Sequence, residues 1–307
     1  MRAVVMTAVG GPEVLTLSDV PTPSAGPGQV LVRTEAIGVS AGEARMRAGV
    51  YPMPVPPPVV FGAEAAGVVE AVGDGVDPEL VGVRVTFVTG GVGSYAEYVA
   101  VAAANLVRVP DGMSAIDAVA STAAGAVAFA LLHKAQVAAG ETVLVEGGSG
   151  KVGGYLVRHA RERGARVVAT ASRPAGVTAD VVLDHGNPDW PDDLPAIDVA
   201  FELAGGATAG RVLKSLTPST GRMYVYGSLS GAPPVVDGTT VFRRGVQVAG
   251  CAGPGWFQQV LGVHSVEFLA AAAAGRTHLQ PVEAVLPLSE AAEAHRRIGT
   301  GRIVLVP

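Results

Sequence analysis

The chain contains a single cysteine, Cys251, which excludes an internal disulfide and any cysteine-rich zinc site. No apolar run of 18 residues is free of charges or turn breakers, so no membrane span is expected. The opening Met1-Arg2-Ala3-Val4-Val5 leads straight into strand-like sequence, without the apolar run and small-residue cleavage site of a secretory signal. Lysine is scarce: Lys134, Lys151 and Lys214 are the only three, a bias of composition rather than of mechanism. Excess positive charge is also missing. A net charge of −5 and a pI near 5.7 argue against nucleic acid or an anionic membrane as the main partner. A soluble, cytoplasmic protein acting on a small molecule is expected. With 307 residues, 49% of them hydrophobic, the chain is long enough for two domains with sizeable cores.

Its most informative stretch is Glu141 to Arg173. Thr142 to Glu146 forms a short β-branched and apolar run, as expected of a buried parallel strand. Gly147, Gly148, Gly150, Gly153 and Gly154 follow within eight positions. From Val152 to Arg163 the apolar spacing becomes helical, Gly164 ends the helix, and Arg166 to Thr170 reads as a second strand. Gly147, Gly150 and Gly153 therefore sit in the turn of a βαβ unit. Such a turn lets backbone approach a pyrophosphate without a Cβ in the way, and the helix N-terminus favours negative charge. Strand, triplet, helix and second strand together indicate dinucleotide binding, with Lys151 and Val152 at the helix start. A P-loop is excluded, because Gly150-Lys151 is followed by Val152 instead of Ser or Thr.

The tip of the second strand also lacks something. NAD-binding folds place a carboxylate about 20 residues past the glycines, on the ribose hydroxyls. Here the chain reads Thr170-Ala171-Ser172-Arg173, with no acid. Hydroxyl and guanidinium suit a 2′-phosphate instead, which favours NADPH. Charge-assisted bonds of this kind contribute roughly 1.5–3 kcal/mol, or about 10- to 150-fold in affinity.

Short β-branched runs separated by Gly and Pro turns make the first 120 or so residues a mostly β domain. An Ala-rich helix over Ser114 to Lys134 precedes the βαβ unit. Strands at Val181–Leu183, Val199–Glu202 and Arg222–Gly227 then alternate with helices, indicating a doubly wound parallel sheet and an α/β fold. Leu203, Ala204, Tyr226, Gly227 and Ser228 follow strand C-termini, where open α/β sheets bind ligands. A long helix is expected over Gln258 to Ala274, and a last helix over Ser289 to Ile298 with Ser289 as its N-cap.

The whole pattern resembles the zinc-free quinone oxidoreductase (zeta-crystallin-like) branch of the medium-chain dehydrogenase/reductase superfamily. The resemblance rests on M-R-A-V-V-M with Gly10 to Leu15, Gly26 to Arg33, Gly38 to Tyr51, Gly62 to Gly73, Ser94 to Tyr98 and Glu290 to His295. It implies a GroES-like domain over residues 1–120 and 275–307, a Rossmann NADP(H)-binding domain over 121–274, and an active site in the cleft. It implies a homodimer as well, for which Val246 to Ala252 offers an edge strand. Ser40 and Ala63 stand where zinc-dependent relatives carry metal-binding Cys and His, so no metal is expected. Hydride addition to an electron-poor C=C needs no Lewis acid; it needs a donor near the oxygen on which enolate charge develops.

Tyr51 matches a tyrosine lining the nicotinamide cleft, and Ser40 the position of an asparagine that orients nicotinamide or substrate. His185 falls where an adenosine-packing tyrosine is frequent, and Arg302 at a basic position near the cofactor phosphates. Glu43 and Glu64 resemble family acids and read as structural. The expected activity is NADPH-dependent reduction of quinones or of activated C=C bonds in enones and enals. An enoyl reductase of polyketide-type biosynthesis and a catalytically silent NADPH-binding protein remain alternatives.

Overall fold

The computed structural model describes residues 1–50, 55–299 and 301–307. The chain opens with β1 (Arg2–Met6), β2 (Leu15–Asp19), β3 (Gln29–Gly38), helix α1 (Ala41–Arg47) and β4 (Val59–Val60). It continues through β5 (Glu64–Val72), β6 (Arg84–Val88), β7 (Tyr98–Ala102) and β8 (Leu106–Arg108). Helix α2 (Ala115–Ala135) leads to β9 (Thr142–Val145), α3 (Lys151–Glu162), β10 (Arg166–Ala171), β11 (Val181–Asp184) and β12 (Val199–Glu202). Then come α4 (Gly206–Ser215), β13 (Arg222–Val225), α5 (Gly238–Arg244), β14 (Gln247–Gly250) and α6 (Pro254–Gln259). The chain ends with α7 (Ser265–Ala273), β15 (Val282–Pro287), α8 (Ala291–Arg296) and β16 (Arg302–Val306).

Two units result: Met1–Ala123 with Leu261–Pro307, and Ala124–Val260. The first holds a three-stranded sheet, β2-β1-β4, and a seven-stranded one in which β3 pairs with β16, β5 and β7. Its core gathers Val30, Val32, Ile37, Phe61, Val85, Phe87 and Tyr95 between these sheets. This is the GroES-like domain. The second is a six-stranded sheet, every pairing parallel, in the order β11-β10-β9-β12-β13-β14. Counted within the unit, this is the doubly wound Rossmann order, with its switch point between β9 and β12.

Three expectations need correction. The stretch 258–274 is not one helix. A π-helical turn over Val260–His264 separates α6 from α7, and α7 packs on β8. Residues 261–274 thus belong to the first unit, so the expected Rossmann boundary at 274 moves to Val260. Ser289 is not an N-cap: a 3-10 turn over Leu288–Glu290 leads into α8, whose cap position is Glu290. Among the described residues one helix, α2, is long and apolar enough to cross a membrane by length and composition. Two-thirds of that stretch is buried inside the structure (67%), as in a core helix. Its start packs Ala115, Val119 and Ala120 against Ala36, Ala66 and Val304; its later part packs Ala126 and Ala130 against Val260.

Candidate functional site

The second unit carries the glycine crevice. β9 delivers the chain through Glu146 to Gly147, which has φ +68°, a conformation glycine adopts without strain. Gly150 is the N-cap of α3, and no side chain caps that helix. First-turn amides have no intrahelical acceptors, so this end is open to an anion. A Cβ on Gly153 would lie 2.1 Å from the Gly147 carbonyl oxygen; the helix rests directly on the turn. The cradle is one that side chains would fill, and it fits a pyrophosphate. Lys151 and Val152, both half-buried, occupy the first helical turn.

The other walls come from the ends of β12 and β13. Leu203 lies between two glycines. A Cβ on Gly147 would meet its Cδ2 at 2.9 Å, and one on Gly227 its Cδ1 at 2.3 Å. The loops after the two strands are tied together, Leu229 N–H donating to Leu203 O at 2.8 Å and Ser230 N–H to Ala204 O at 2.9 Å. Tyr226 Oη donates to the Glu146 carbonyl at 3.3 Å, and burial beside Glu146 and Glu202 raises its pKa. Ser228 Oγ donates to Ala232 O at 2.8 Å, closing the next turn.

At the tip of β10, Ser172 and Arg173 are exposed, whereas Thr170 is fully buried. Its Oγ1 accepts from Gly147 N–H at 3.0 Å and lies 3.2 Å from His185 Nδ1. The Thr170 hydroxyl therefore braces the glycine turn and leaves Ser172 as the outward hydroxyl of this tip. His185, half-buried, follows β11; its amide donates to Ala171 O at 3.1 Å, and its ring stacks on buried Trp190 at 6.5 Å between centroids. The structure thus brings all the expected cofactor residues of this unit to the C-terminal end of one sheet.

In the first unit, Ser40 caps α1. Its Oγ accepts from Glu43 N–H at 3.3 Å, and Glu43 Oε2 accepts from Ser40 N–H at 2.7 Å, a capping box. Glu43 Oε1 accepts from Ala63 N–H at 2.8 Å. Burial, reinforced by the Glu64 carboxyl, pushes Glu43 up to about 7. Behind it runs a chain of side chains: Tyr95 Oη to His295 Nε2 at 3.0 Å, and His295 Nδ1 to Arg47 Nη1 at 3.0 Å. A guanidinium only donates, so His295 Nδ1 accepts and its proton sits on Nε2, which donates to Tyr95. Burial and the neighbouring Arg47 hold His295 down to about 3, keeping it neutral.

Arg302 is not available to a phosphate. It is 5% exposed, its Nη2 lies 2.7 Å from Glu64 Oε1, and it donates to Val39 O at 3.1 Å and Val119 O at 2.6 Å. It is an internal tie of the first unit, contrary to the resemblance. Tyr51 lies outside the described residues. Sequence reading missed Glu146, Glu202 and the bracing role of Thr170. Two apolar strands that both end in glutamate, V-L-V-E and V-A-F-E, were the available signal.

Residues 26–111 match the family described as the alcohol dehydrogenase GroES-like domain, and residues 177–304 the one described as zinc-binding dehydrogenase. A quinone oxidoreductase of Sus scrofa is 32% identical over 334 residues, spanning 100% of this chain and 98% of the relative. A 2-haloacrylate reductase of a Burkholderia species is 31% identical over 340 residues, spanning 100% and 99%. The solved structure of Escherichia coli quinone oxidoreductase complexed with NADPH superposes with a TM-score of 0.88 at 26% identity, each chain covered completely (100%). The chain belongs to the medium-chain dehydrogenase/reductase superfamily, in its quinone oxidoreductase branch. That is a family of oxidoreductases.

Proposed function

We propose that this chain is an NADPH-dependent reductase of quinones or of the activated C=C bond of enones and enals, working without zinc. The carrying observation is the glycine crevice over an uncapped helix, beside a strand tip that presents Ser172 and Arg173 and no carboxylate. Gly147, Gly150, Gly153 and the start of α3 hold the pyrophosphate. Ser172 and Arg173 hold the 2′-phosphate, and His185, braced by Trp190, packs the adenosine. Leu203, Ala204, Tyr226, Gly227 and Ser228 border the remainder. When bound, NADPH supplies a hydride to the β-carbon of the substrate. Ser40 Oγ accepts from Glu43 N–H and its hydroxyl also bonds the Glu43 carboxyl, so it would donate to the substrate oxygen by turning its hydrogen away from that carboxyl; Tyr51 is the second donor proposed. The 2-haloacrylate reductase similarity favours an activated C=C among the substrates. A homodimer is part of the proposal, through β14 at the sheet edge and Phe242 beside it, which is 86% exposed.

Loss of NADPH absorbance with a panel of enones, enals, haloacrylates and quinones tests the activity. Turnover confined to enoyl thioesters would make the chain a biosynthetic enoyl reductase. Silence with NADPH still bound would make it a binding protein. Elemental analysis of active enzyme is expected to find no stoichiometric zinc, and activity lost with a chelator and restored by zinc would refute that part. Arg173→Ala is expected to weaken NADPH binding about 10-fold or more and leave NADH unchanged. Equal losses for both nucleotides would remove Arg173 from the 2′-phosphate.

A further inference from the structure

Glu146 and Glu202 lie under the crevice, and nucleotide contacts account for neither. Glu146 directly follows β9 and Glu202 ends β12. Val145 pairs with Phe201 in this parallel ladder, and Glu146 N–H donates to Phe201 O at 3.2 Å. One step further along, the two glutamates are neighbours on the same face, with backbones about 5 Å apart. Both are 0% exposed. Among the described residues no cation is paired with either, and the other titratable group facing them is Tyr226 on the loop after β13.

Their hydrogen bonds converge on one segment. Leu203 and Ala204 N–H donate to Glu146 Oε2 at 2.9 and 2.6 Å, and Gly205 N–H donates to Glu202 Oε1 at 2.5 Å. Three consecutive amides are thereby held as the chain enters a left-handed bend at Gly205 (φ +72°) and Gly206 (φ +58°). Glu146 Oε1 and Glu202 Oε2 are buried with no hydrogen-bond partner. Two adjacent carboxylates without a cation repel one another. One retained proton removes a charge and still leaves acceptor oxygens for the three amides.

We propose that Glu146 and Glu202 act as one acid pair retaining a proton at neutral pH, that Glu146 is a positioning residue for the 203–206 loop, and that losing this proton loosens the loop and weakens nucleotide binding. The binding half rests on the NADPH reading above; the loop half does not. Burial, and after it Glu202, raises Glu146 to about 8, and burial raises Glu202 too, so the transition falls in an accessible range.

The test uses the whole chain with NADPH as probe, titrated by fluorescence from about pH 6.5 to about pH 9.5, with amide hydrogen exchange at Ala204 and Gly205 corrected for intrinsic rate. In the wild type the NADPH Kd is expected to rise about tenfold or more and protection to fall in step. Glu146→Gln, which carries no charge at any pH, is expected to flatten both profiles; Glu202→Gln serves if that variant does not fold. Constant protection in the wild type, or the same pH dependence in the glutamine variant, overturns the pair. If NADPH binds at no pH, the nucleotide reading fails, and the protection profile alone decides whether the acid pair holds the loop.

Discussion

Replacing Arg302 with leucine is expected to lower the unfolding free energy by about 3–5 kcal/mol, measured as a fall in the urea midpoint. Arg302 and Glu64 meet at 2.7 Å with side chains only 4% and 9% exposed. The leucine would leave a buried carboxylate without its cation and strip a donor from the Val39 and Val119 carbonyls. Desolvation makes the intact pair a modest net stabiliser, whereas breaking it is costly. The double variant Arg302→Leu with Glu64→Gln should therefore recover part of the loss, since the remaining amide is neutral. Gly38 is part of the same arrangement, because a Cβ there would lie 2.3 Å from Glu64 Oε1. A single-variant loss under about 1 kcal/mol, or a double variant no better than the single, would mean that the pair is as weak as a surface one.

The second large effect is a stability optimum on the acid side of neutrality. Glu43 and Glu146 are raised from 4.5 to about 7 and about 8, in both cases mainly by burial. Above pH 4.5 the unfolded chain releases these protons while the fold keeps them, so the native state binds more protons and stability falls with rising pH. His295 acts oppositely. Its value drops from 6.5 to about 3, so below 6.5 the unfolded chain takes a proton that the fold refuses, and stability falls with falling pH. Each group contributes about 1.4 kcal/mol per pH unit inside its window. Between 4.5 and 6.5 the two acids lose about twice what the histidine gains, so the maximum lies near the lower of these values, and going from there to about pH 8 costs on the order of 4 kcal/mol. Urea midpoints across this range check the sign. Glu43→Gln and Glu146→Gln should each make the alkaline limb shallower. A midpoint that is flat or rises toward pH 8 would contradict the burial of these acids in protonated form.

The glycine crevice was legible in the sequence because its spacing is local: strand, turn, helix and second strand are contiguous, and Gly153 must be glycine wherever helix meets turn. The doubly wound parallel sheet followed from the alternation of strands and helices. What escaped depends on facing. Strands buried on both sides show no period-two pattern, so nothing in V-L-V-E or V-A-F-E tells which way a terminal glutamate points. Thr170 and Ser172 both put a hydroxyl near the strand tip, and sequence alone did not tell their roles apart: β10 ends at Ala171, so Thr170 stays within the sheet, buried against Gly147, while Ser172 lies just beyond it, exposed. Arg302 failed for a related reason. A basic residue near the end of the chain is phosphate-ready only if no carboxylate lies across the sheet, and Glu64 is 238 positions away in sequence.

Because β16 pairs with Ile37 and Gly38 on β3, the GroES-like lobe stays unfinished until β16 has been made. The Rossmann lobe, contiguous from Ala124 to Val260, is complete well before that. On the ribosome the order of maturation is therefore inverted relative to the order of the genes' codons. The later lobe can close while the earlier one waits, its β3 edge open to stray strand pairing. Nascent chains stalled before β16 should be the ones that need a chaperone.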